Sequence, residues 1–182
     1  DIRLGEDIID PLNHPELLFA GKISAFCSDA HVAYDSENEK WRVFGDPTEA
    51  ALAVFAEKIG FRKDDMERES PKIAEIPFDY TKKYHAIIHA VGNQSMLTVV
   101  GAPETVIGLS SKKWERGTAR HLSGEDKNNL ESIFAKMSED GFRVLALSVK
   151  EDVSKIVAHE DIKNLTFVGF VAMKDALRPE AK

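Results

Sequence analysis

The histidines and carboxylates are the residues of this chain that could do acid–base or metal chemistry. The sequence holds 6 histidines and 31 Asp and Glu residues, and no spacing among them singles out a catalytic pair. His85 and His89 are four residues apart, which would bring two metal ligands together on a helix. We expect them on a strand, where they share a face but lie roughly 13 Å apart. We therefore predict solvent-facing histidines and no metal site.

The general motifs of phosphate binding and hydrolysis are missing from the sequence. Neither Gly-x4-Gly-Lys-Ser/Thr nor Gly-x-Gly-x-x-Gly occurs, so both common glycine-rich phosphate loops are absent. The same holds for Gly-x-Ser-x-Gly and for His-Glu-x-x-His. On these patterns alone, a protein-interaction module fits the chain as well as an enzyme does.

Composition and charge narrow the class of protein. The 182 residues are 43% hydrophobic and 30% charged, with a formal net charge of -7. These proportions are typical of a soluble globular domain, and the negative charge disfavours broad binding to nucleic acid. The single cysteine, Cys27, excludes an internal disulfide and favours a reducing compartment. No apolar run approaches the about 20 residues that span a bilayer, and the missing initial Met predicts a fragment or a processed product.

Capping and proline patterns predict four helices. One of them begins at Asp46-Pro47 and ends at Gly60, and Glu49 stands where the carboxylate of a capping box reaches back to the cap. Ser123 to Asp126 forms a second capping pattern. The predicted helices cover residues 15–28, 46–60, 104–109 and 123–141.

Alternating apolar residues predict short strands between these helices. The expected strands lie within 31–44, as a pair joined by a turn at 35–39, and at 72–78, 84–91, 95–100, 142–149 and 165–173. The charged stretch 62–71 and the polar stretch 110–122 are predicted to be loops. Because hairpins alternate with helices, we predict an α+β fold with a twisted, mostly antiparallel sheet flanked by helices.

Five motifs occur in an order that a known family shares. In chain order they are GDPTEAAL (45–52), KIAEIPFDYTKKY (72–84), VGAPE (100–104), GFRVLAL (141–147) and VGFVAMKDALRP (168–179). Together they resemble the nucleotide-binding domain of cation-transporting P-type ATPases. The residues of these motifs are most similar to those of sodium/potassium, proton/potassium and related calcium pumps. The resemblance extends over residues 17–180.

The resemblance implies a domain that binds ATP, as Mg-ATP in the full pump, and presents the γ-phosphate to an aspartate of a phosphorylation domain. The family's Asp-Lys-Thr-Gly-Thr and Gly-Asp-Gly-x-Asn-Asp motifs are absent, so we expect binding without turnover, no catalytic residue and no metal ligand. We expect the domain to occupy residues 1–174 and a hinge segment residues 175–182. The implied partners are ATP and the phosphorylation and actuator domains of the same polypeptide, with no nucleic acid. The fragment itself is expected to be a monomer at the cytoplasmic face of a membrane.

The resemblance also assigns nucleotide contacts to single residues. Phe78 would stack on adenine, and Lys83 would sit near the adenine or the phosphates. Glu49 would accept from the adenine amino group, a role that competes with its place in the capping box. Arg143 would reach the phosphates with its planar guanidinium.

Further roles fall on backbone and hinge positions. Gly101 and Ala102 would let the backbone approach the nucleotide, while Asp175 and Arg178 resemble the hinge pair that contacts the ligand when the domains close. One departure matters, because Val100 replaces the lysine of the family's Lys-Gly-Ala-Pro-Glu motif and removes a cation from a pocket for a polyanion. This leaves a second interpretation open, a degenerate interaction module of the same fold.

Overall fold

A computed structural model describes residues 2–4, 6–153 and 158–174. The strands are β1 (Arg3–Leu4), β2 (Asp7–Ile8), β3 (His31–Asp35), β4 (Lys40–Phe44), β5 (Lys72–Asp79), β6 (Tyr84–Val91), β7 (Gln94–Gly101), β8 (Ser110–Glu115), β9 (Thr118–His121), β10 (Arg143–Glu151) and β11 (Leu165–Met173). The helices are α1 (Pro15–Phe26), α2 (Pro47–Ile59), α3 (Lys63–Glu69), α4 (Pro103–Leu109) and α5 (Gly124–Glu139), with 3-10 turns at Pro11–Asn13 and His159–Asp161.

Seven strands form one sheet in the order β5-β6-β7-β10-β11-β8-β9. Its neighbours pair antiparallel except for β11 and β8, which are parallel. The hairpins β1–β2 and β3–β4 stand apart from it. This architecture confirms the predicted α+β class and the mostly antiparallel sheet.

Side-chain alternation gives the sheet two buried faces, because successive residues of a strand point to opposite sides. In β7, Leu97 and Val99 join one hydrophobic cluster, which also includes residues of α4. Met96 and Val100 join the other cluster, together with residues of α1 and α2. Two helical layers therefore cover the sheet, and the candidate site lies on the side of α1 and α2.

The cap signals identified helix boundaries well. The Asp46 carboxylate accepts from the backbone N–H groups of Thr48 and Glu49 at 2.8 and 3.2 Å, and α2 ends at Gly60, whose φ of 103° is left-handed. At α5, Ser123 and Asp126 form both halves of a capping box. The predicted helix starts are therefore confirmed at these two positions.

Two predicted loops are wrong. Residues 62–71 contain α3, whose one buried side chain is Met66; the pair Lys63–Glu67 (3.5 Å) supports its i,i+4 face. A helix with a single apolar anchor shows no hydrophobic period, which explains the error.

The stretch 110–122 is the hairpin β8–β9 and not a loop. It turns at Arg116 and Gly117, whose φ angles of 50° and 77° suit a tight hairpin turn. The hairpin lies at the edge of the sheet, and most of its side chains remain partly or fully exposed, so its sequence is polar. No helix among the described residues has the length and apolar content needed to cross a membrane.

Candidate functional site

A cavity of about 500 Å³ opens on the side of the sheet that α2 covers. We call it the Phe78 cavity. Its walls come from α2, the end of β5, β6, the end of β7 and the start of β10. The lining residues are Asp46, Thr48, Glu49, Leu52, Phe78, Tyr80, His85, Val100, Gly101, Arg143 and Leu145.

The first turn of α2 supplies the carboxylate of the cavity. Asp46 caps the helix, and this fixes Glu49 on the turn that faces the sheet. The Glu49 side chain does not return to the cap residue. Instead, its Oε2 accepts a hydrogen bond from the backbone N–H of Asp29 at 3.1 Å. Among the described residues the capping box predicted for Glu49 is therefore only half formed, by Asp46. The carboxylate is left beside the cavity.

Two aromatic rings stand at the end of β5. Phe78 is 52% exposed and Tyr80 is 89% exposed, and their rings meet edge to face with centroids 5.2 Å apart. The turn that follows is fixed, because the Asp79 carboxylate accepts from the N–H groups of Thr81 and Lys82 at 2.7 and 2.9 Å. These hydrogen bonds hold the pKa of Asp79 below its usual value. An exposed apolar ring beside this hydrogen-bonded turn offers a surface for stacking.

Gly101 ends β7 at a point of close backbone approach. A Cβ at this position would lie 2.3 Å from the carbonyl oxygen of Lys83 and 2.6 Å from Cβ of Tyr84. The N–H of Ala102 donates to the same carbonyl at 2.9 Å. Gly101 is therefore required by the packing of β7 against the turn before β6, and it also lines the cavity.

Lys83 and Ala102 are not among the described residues that line the cavity. Lys83 has a left-handed backbone, with φ of 59°. Its ammonium pairs with Glu104 at 3.2 Å, and both side chains are about half exposed. Of the six predicted nucleotide contacts, the structure thus brings Glu49, Phe78, Gly101 and Arg143 to one cavity, whereas Lys83 and Ala102 are outside its lining.

Arg143 enters the cavity from the first residue of β10. It donates from Nη1 to Oγ1 of Thr48 at 3.1 Å, which links β10 to the start of α2. Among the described residues that line the cavity, Arg143 is the only one with a permanent positive charge. Val100, which replaces the lysine of the family's motif, is almost buried in the wall. The cavity is therefore apolar at this position.

The prediction of solvent-facing histidines is wrong. His85 and His89 are only 5% and 4% exposed, because α1 and α2 cover the face of β6 to which they point. His89 packs against the ring of Phe26. Burial, and then the nearby Lys72 ammonium, lower the pKa of His89 to about 4, so this imidazole is neutral.

His85 belongs to a charged network beside the cavity. Its Nε2 lies 3.0 Å from Oε1 of Glu75, and its Nδ1 lies 4.0 Å from Oε1 of Glu49. Potential ligand atoms of Asp29, Glu75 and His85 lie within 4.8 Å of one another. The Lys72 ammonium bridges the two carboxylates at 3.2 and 2.8 Å, so the network already contains its own cation.

The polar side chains of Thr48, Tyr80 and His85 are among the cavity-lining groups that the sequence did not predict. The alternation of β6 places His85 on the same face as Ile87, and the register pairs His85 with Val100. A strand pattern could have indicated that shared face, whereas the covering helix is a tertiary feature. The predicted hinge residues Asp175 and Arg178, and the segment 175–182, lie outside the described residues.

The family model for "P-type ATPase, cytoplasmic domain N" matches residues 18–180. The chain is 32% identical over 189 residues to "Sodium/potassium exporting P-type ATPase cta3" of Schizosaccharomyces pombe, covering 96% of this chain and 17% of that protein. It is 31% identical over 170 residues to "Cation-transporting ATPase pma1" of Synechocystis sp., covering 91% and 18%.

A third relative, "Calcium-transporting ATPase 1" of Lactococcus lactis, is 29% identical over 154 residues, which are 84% of this chain and 17% of the relative. The chain therefore spans less than a fifth of the length of these relatives. The family match covers all but the first 17 and the last two residues. The chain belongs to the cation-transporting P-type ATPases, of which it represents domain N.

Proposed function

We propose that this domain binds ATP, base first, in the Phe78 cavity. In a full pump it would present the γ-phosphate to the aspartate of the phosphorylation domain. The observation that carries the proposal is the meeting of an exposed aromatic ring, a carboxylate, a glycine at a close backbone approach and an arginine around one cavity of about 500 Å³. Each of these groups suits a different part of a nucleotide.

The aromatic ring and the carboxylate would bind the base. Stacking of a base on an aromatic side chain is worth about 1–3 kcal/mol, and the half-exposed ring of Phe78 has the area for it. Glu49 would accept from the adenine amino group. Its Oε2 is held by the Asp29 N–H, which keeps the carboxylate in place before the ligand arrives.

The cations would bind the phosphates. Arg143 is the first residue of β10 and offers a planar guanidinium, which suits bidentate phosphate contacts. Lys83 would exchange its exposed pair with Glu104 for a phosphate, and such surface pairs contribute only about 0–1 kcal/mol. Gly101 and Ala102 would contribute a backbone without bulk. Magnesium would arrive with the nucleotide as Mg-ATP.

The rest of the activity would belong to the full pump. The isolated chain is expected to be a monomer that binds ATP without turnover. Its partners would be the phosphorylation and actuator domains of the same polypeptide, on the cytoplasmic side of the membrane. Residues 1–174 would form the binding domain, and residues 175–182, with Asp175 and Arg178, the hinge.

Isothermal titration calorimetry with ATP and the purified chain tests the binding step. We expect saturable binding with one site per chain. Absence of a binding isotherm at millimolar ATP would overturn the proposal.

A non-nucleotide interaction module of the same fold is the competing function, and the apolar Val100 in the cavity wall is the observation that favours it. Replacing Val100 by Lys separates the two functions. If ATP binds, Val100→Lys should raise its affinity about tenfold or more, since a hydrogen bond to a charged group contributes about 1.5–3 kcal/mol. Val100→Met is the matched control for length without charge. Equal ATP affinity of the two variants would show that the missing charge does not limit binding.

A further inference from the structure

The hairpin β8–β9 leaves one edge of the large sheet free. The strand order of the sheet ends at β9, and no further strand among the described residues pairs with it there. All four side chains of β9, from Thr118 to His121, are exposed. An edge strand presents unpaired N–H and C=O groups, so it can accept a further strand from another chain. This edge lies at the opposite end of the sheet from β5, which carries Phe78.

The register identifies the backbone groups that this edge presents. Leu122, which follows β9, donates its N–H to the carbonyl of Ser111 in β8 at 3.0 Å, so its backbone faces β8. In an antiparallel pair, residues whose backbone groups face the partner alternate with residues whose groups face away. Ala119 and His121 therefore direct their N–H and C=O groups outward. These groups are available to an incoming strand.

Charge determines which strand this edge would accept. Residues 110–121 contain four Lys and Arg residues and one Glu, although the whole chain has a net charge of -7. Lys112 and Arg116 are exposed and form no ion pair with any described residue. Arg120 is 58% exposed, and its Nε lies 3.9 Å from Glu115, as in a weak surface pair. The edge is therefore cationic and favours an acidic partner.

A second group of cations lies where β9 ends. A cavity of about 380 Å³ is lined there by His121, Lys127 and Lys163, and no carboxylate occurs among its described lining residues. The Phe78 cavity, in contrast, includes the carboxylates of Asp46 and Glu49 in its lining. An acidic side chain that continues past the end of β9 would therefore meet cations without a competing anion.

We propose that the free edge of β9 docks an extended, acidic segment of a partner protein by strand addition. The added strand would pair with the outward backbone groups of Ala119 and His121, and its carboxylates would lie among the cations of the hairpin. Backbone pairing would position the segment, and charge would select it over other extended segments.

A second copy of this chain fits the edge poorly. Two β9 edges would bring like charges together, which opposes pairing. At the other edge of the sheet, the pairing of β5 with β6 shifts between Lys72 and Ala74 and again between Ile76 and Asp79. Pro77 of β5 also has no N–H to donate. Irregular edges of this kind resist pairing with another sheet, so the occupant we propose is a different chain.

Amide NMR with synthetic peptides tests the proposal on the unmodified chain without ATP. The probe is a capped peptide of three Glu-Val repeats. A peptide of three Glu-Pro repeats has the same charge, but its prolines have no N–H to donate. We expect saturable shifts at Ala119 and His121 with the Glu-Val peptide, and binding of the Glu-Pro peptide that is about tenfold or more weaker. Equal affinities of the two peptides, or no saturable shift at these residues, would overturn strand addition.

Two variants locate the docking edge. Ala119→Pro removes an outward N–H that the sheet does not use, and Arg120→Glu reverses a charge beside it. Each should weaken binding of the Glu-Val peptide about tenfold or more. Arg68→Glu, at a 76% exposed position of α3, is the matched control and should keep the affinity of the unmodified chain.

Two results would contradict the assignment of this edge. Unchanged affinity in Arg120→Glu, with an unchanged fold by circular dichroism, would place the peptide elsewhere on the molecule. Self-association of the unmodified chain that Ala119→Pro abolishes, measured by analytical ultracentrifugation, would make a second copy the occupant.

Discussion

Phe78 presents an aromatic ring that is 52% exposed at the end of β5, and in the proposed site this ring would contribute most to base binding. Phe78→Ala should lower ATP affinity about 5- to 150-fold, which corresponds to the loss of about 1–3 kcal/mol of stacking. Calorimetric titration of the variant measures this change. Phe44→Ala is the matched control, because Phe44 is 63% exposed on β4 and does not line the Phe78 cavity. Equal affinities of the two variants would remove Phe78 from the site.

Gly101 has no room for a side chain, since a Cβ would meet the backbone oxygen of Lys83 at 2.3 Å. Gly101→Ala should therefore destabilise the fold by about 1–3 kcal/mol, as overpacked sites do. Gly108→Ala is the opposite case, because Gly108 lies within α4 with open space around it and alanine favours helix by about 1 kcal/mol. Urea unfolding of both variants should give changes of opposite sign, and two changes of the same sign would contradict this packing.

His89 couples stability to pH. Its folded pKa of about 4 lies below the ordinary histidine value, so between about pH 6.5 and pH 4 the unfolded chain binds the additional proton. The stability that depends on the neutral ring is complete above pH 6.5 and decreases as the pH falls toward 4, by on the order of 3 kcal/mol.

Urea unfolding at pH 7 and at pH 4.5 measures this loss. His89→Leu should flatten the profile, because a leucine in the same buried position does not titrate. His121→Leu, at an exposed position of β9, should keep the pH dependence of the unmodified chain. A profile of His89→Leu that matches that of His121→Leu would exclude His89 as the group responsible.

At the scale of elements, α5 depends on its first turn. The Ser123 hydroxyl accepts from the N–H of Asp126 at 3.1 Å, and the Asp126 carboxylate returns to the Ser123 N–H at 2.9 Å. Ser123→Ala should cost about 1 kcal/mol of unfolding free energy, the typical loss of an N-cap. Ser132→Ala, in the exposed middle of α5, should change stability by less than half of that. The urea midpoints of the two variants measure this difference in stability. Equal midpoints would mean that the cap contributes nothing measurable to the free energy of unfolding.

Helices whose ends are marked by capping residues in the sequence were predictable. The caps at Asp46 and Ser123 and the left-handed Gly60 are properties of a few adjacent residues, so the sequence predicted α2 and α5 near their observed bounds. The helix α3 and the edge hairpin β8–β9 carry few apolar residues. Their stability comes from packing on neighbours, and so their local pattern resembles that of a loop.

Burial of the histidines is the clearest tertiary effect. Alternation along β6 places His85, Ile87 and His89 on one face, but only the docking of α1 and α2 decides that this face is covered. The same docking turns Glu49 from a capping role toward Asp29 and the cavity. Four of the cavity-lining residues, Glu49, Phe78, Gly101 and Arg143, were thus predictable from the family motifs, whereas their hydrogen-bond partners depended on contacts between distant segments.

At the scale of the whole molecule, the sheet is what assembles the site. β7 pairs with β10, so Gly101 lies opposite Ala146. The covering helix α2 adds Thr48, which Arg143 contacts across 95 positions of sequence. With a net charge of -7, the molecule attracts no anion in general. In the proposed site a nucleotide would therefore be held by local cations, chiefly Arg143 and Lys83.

Amide NMR during an ATP titration is the sharpest test of nucleotide binding in the Phe78 cavity, because it detects binding and locates it in one experiment. We predict saturable shifts concentrated at residues around the Phe78 cavity, including Phe78, Gly101 and Arg143, with little change on the β8–β9 hairpin. Absence of shifts at these three residues at millimolar ATP, or shifts of equal size on β8–β9, would contradict a nucleotide site in this cavity.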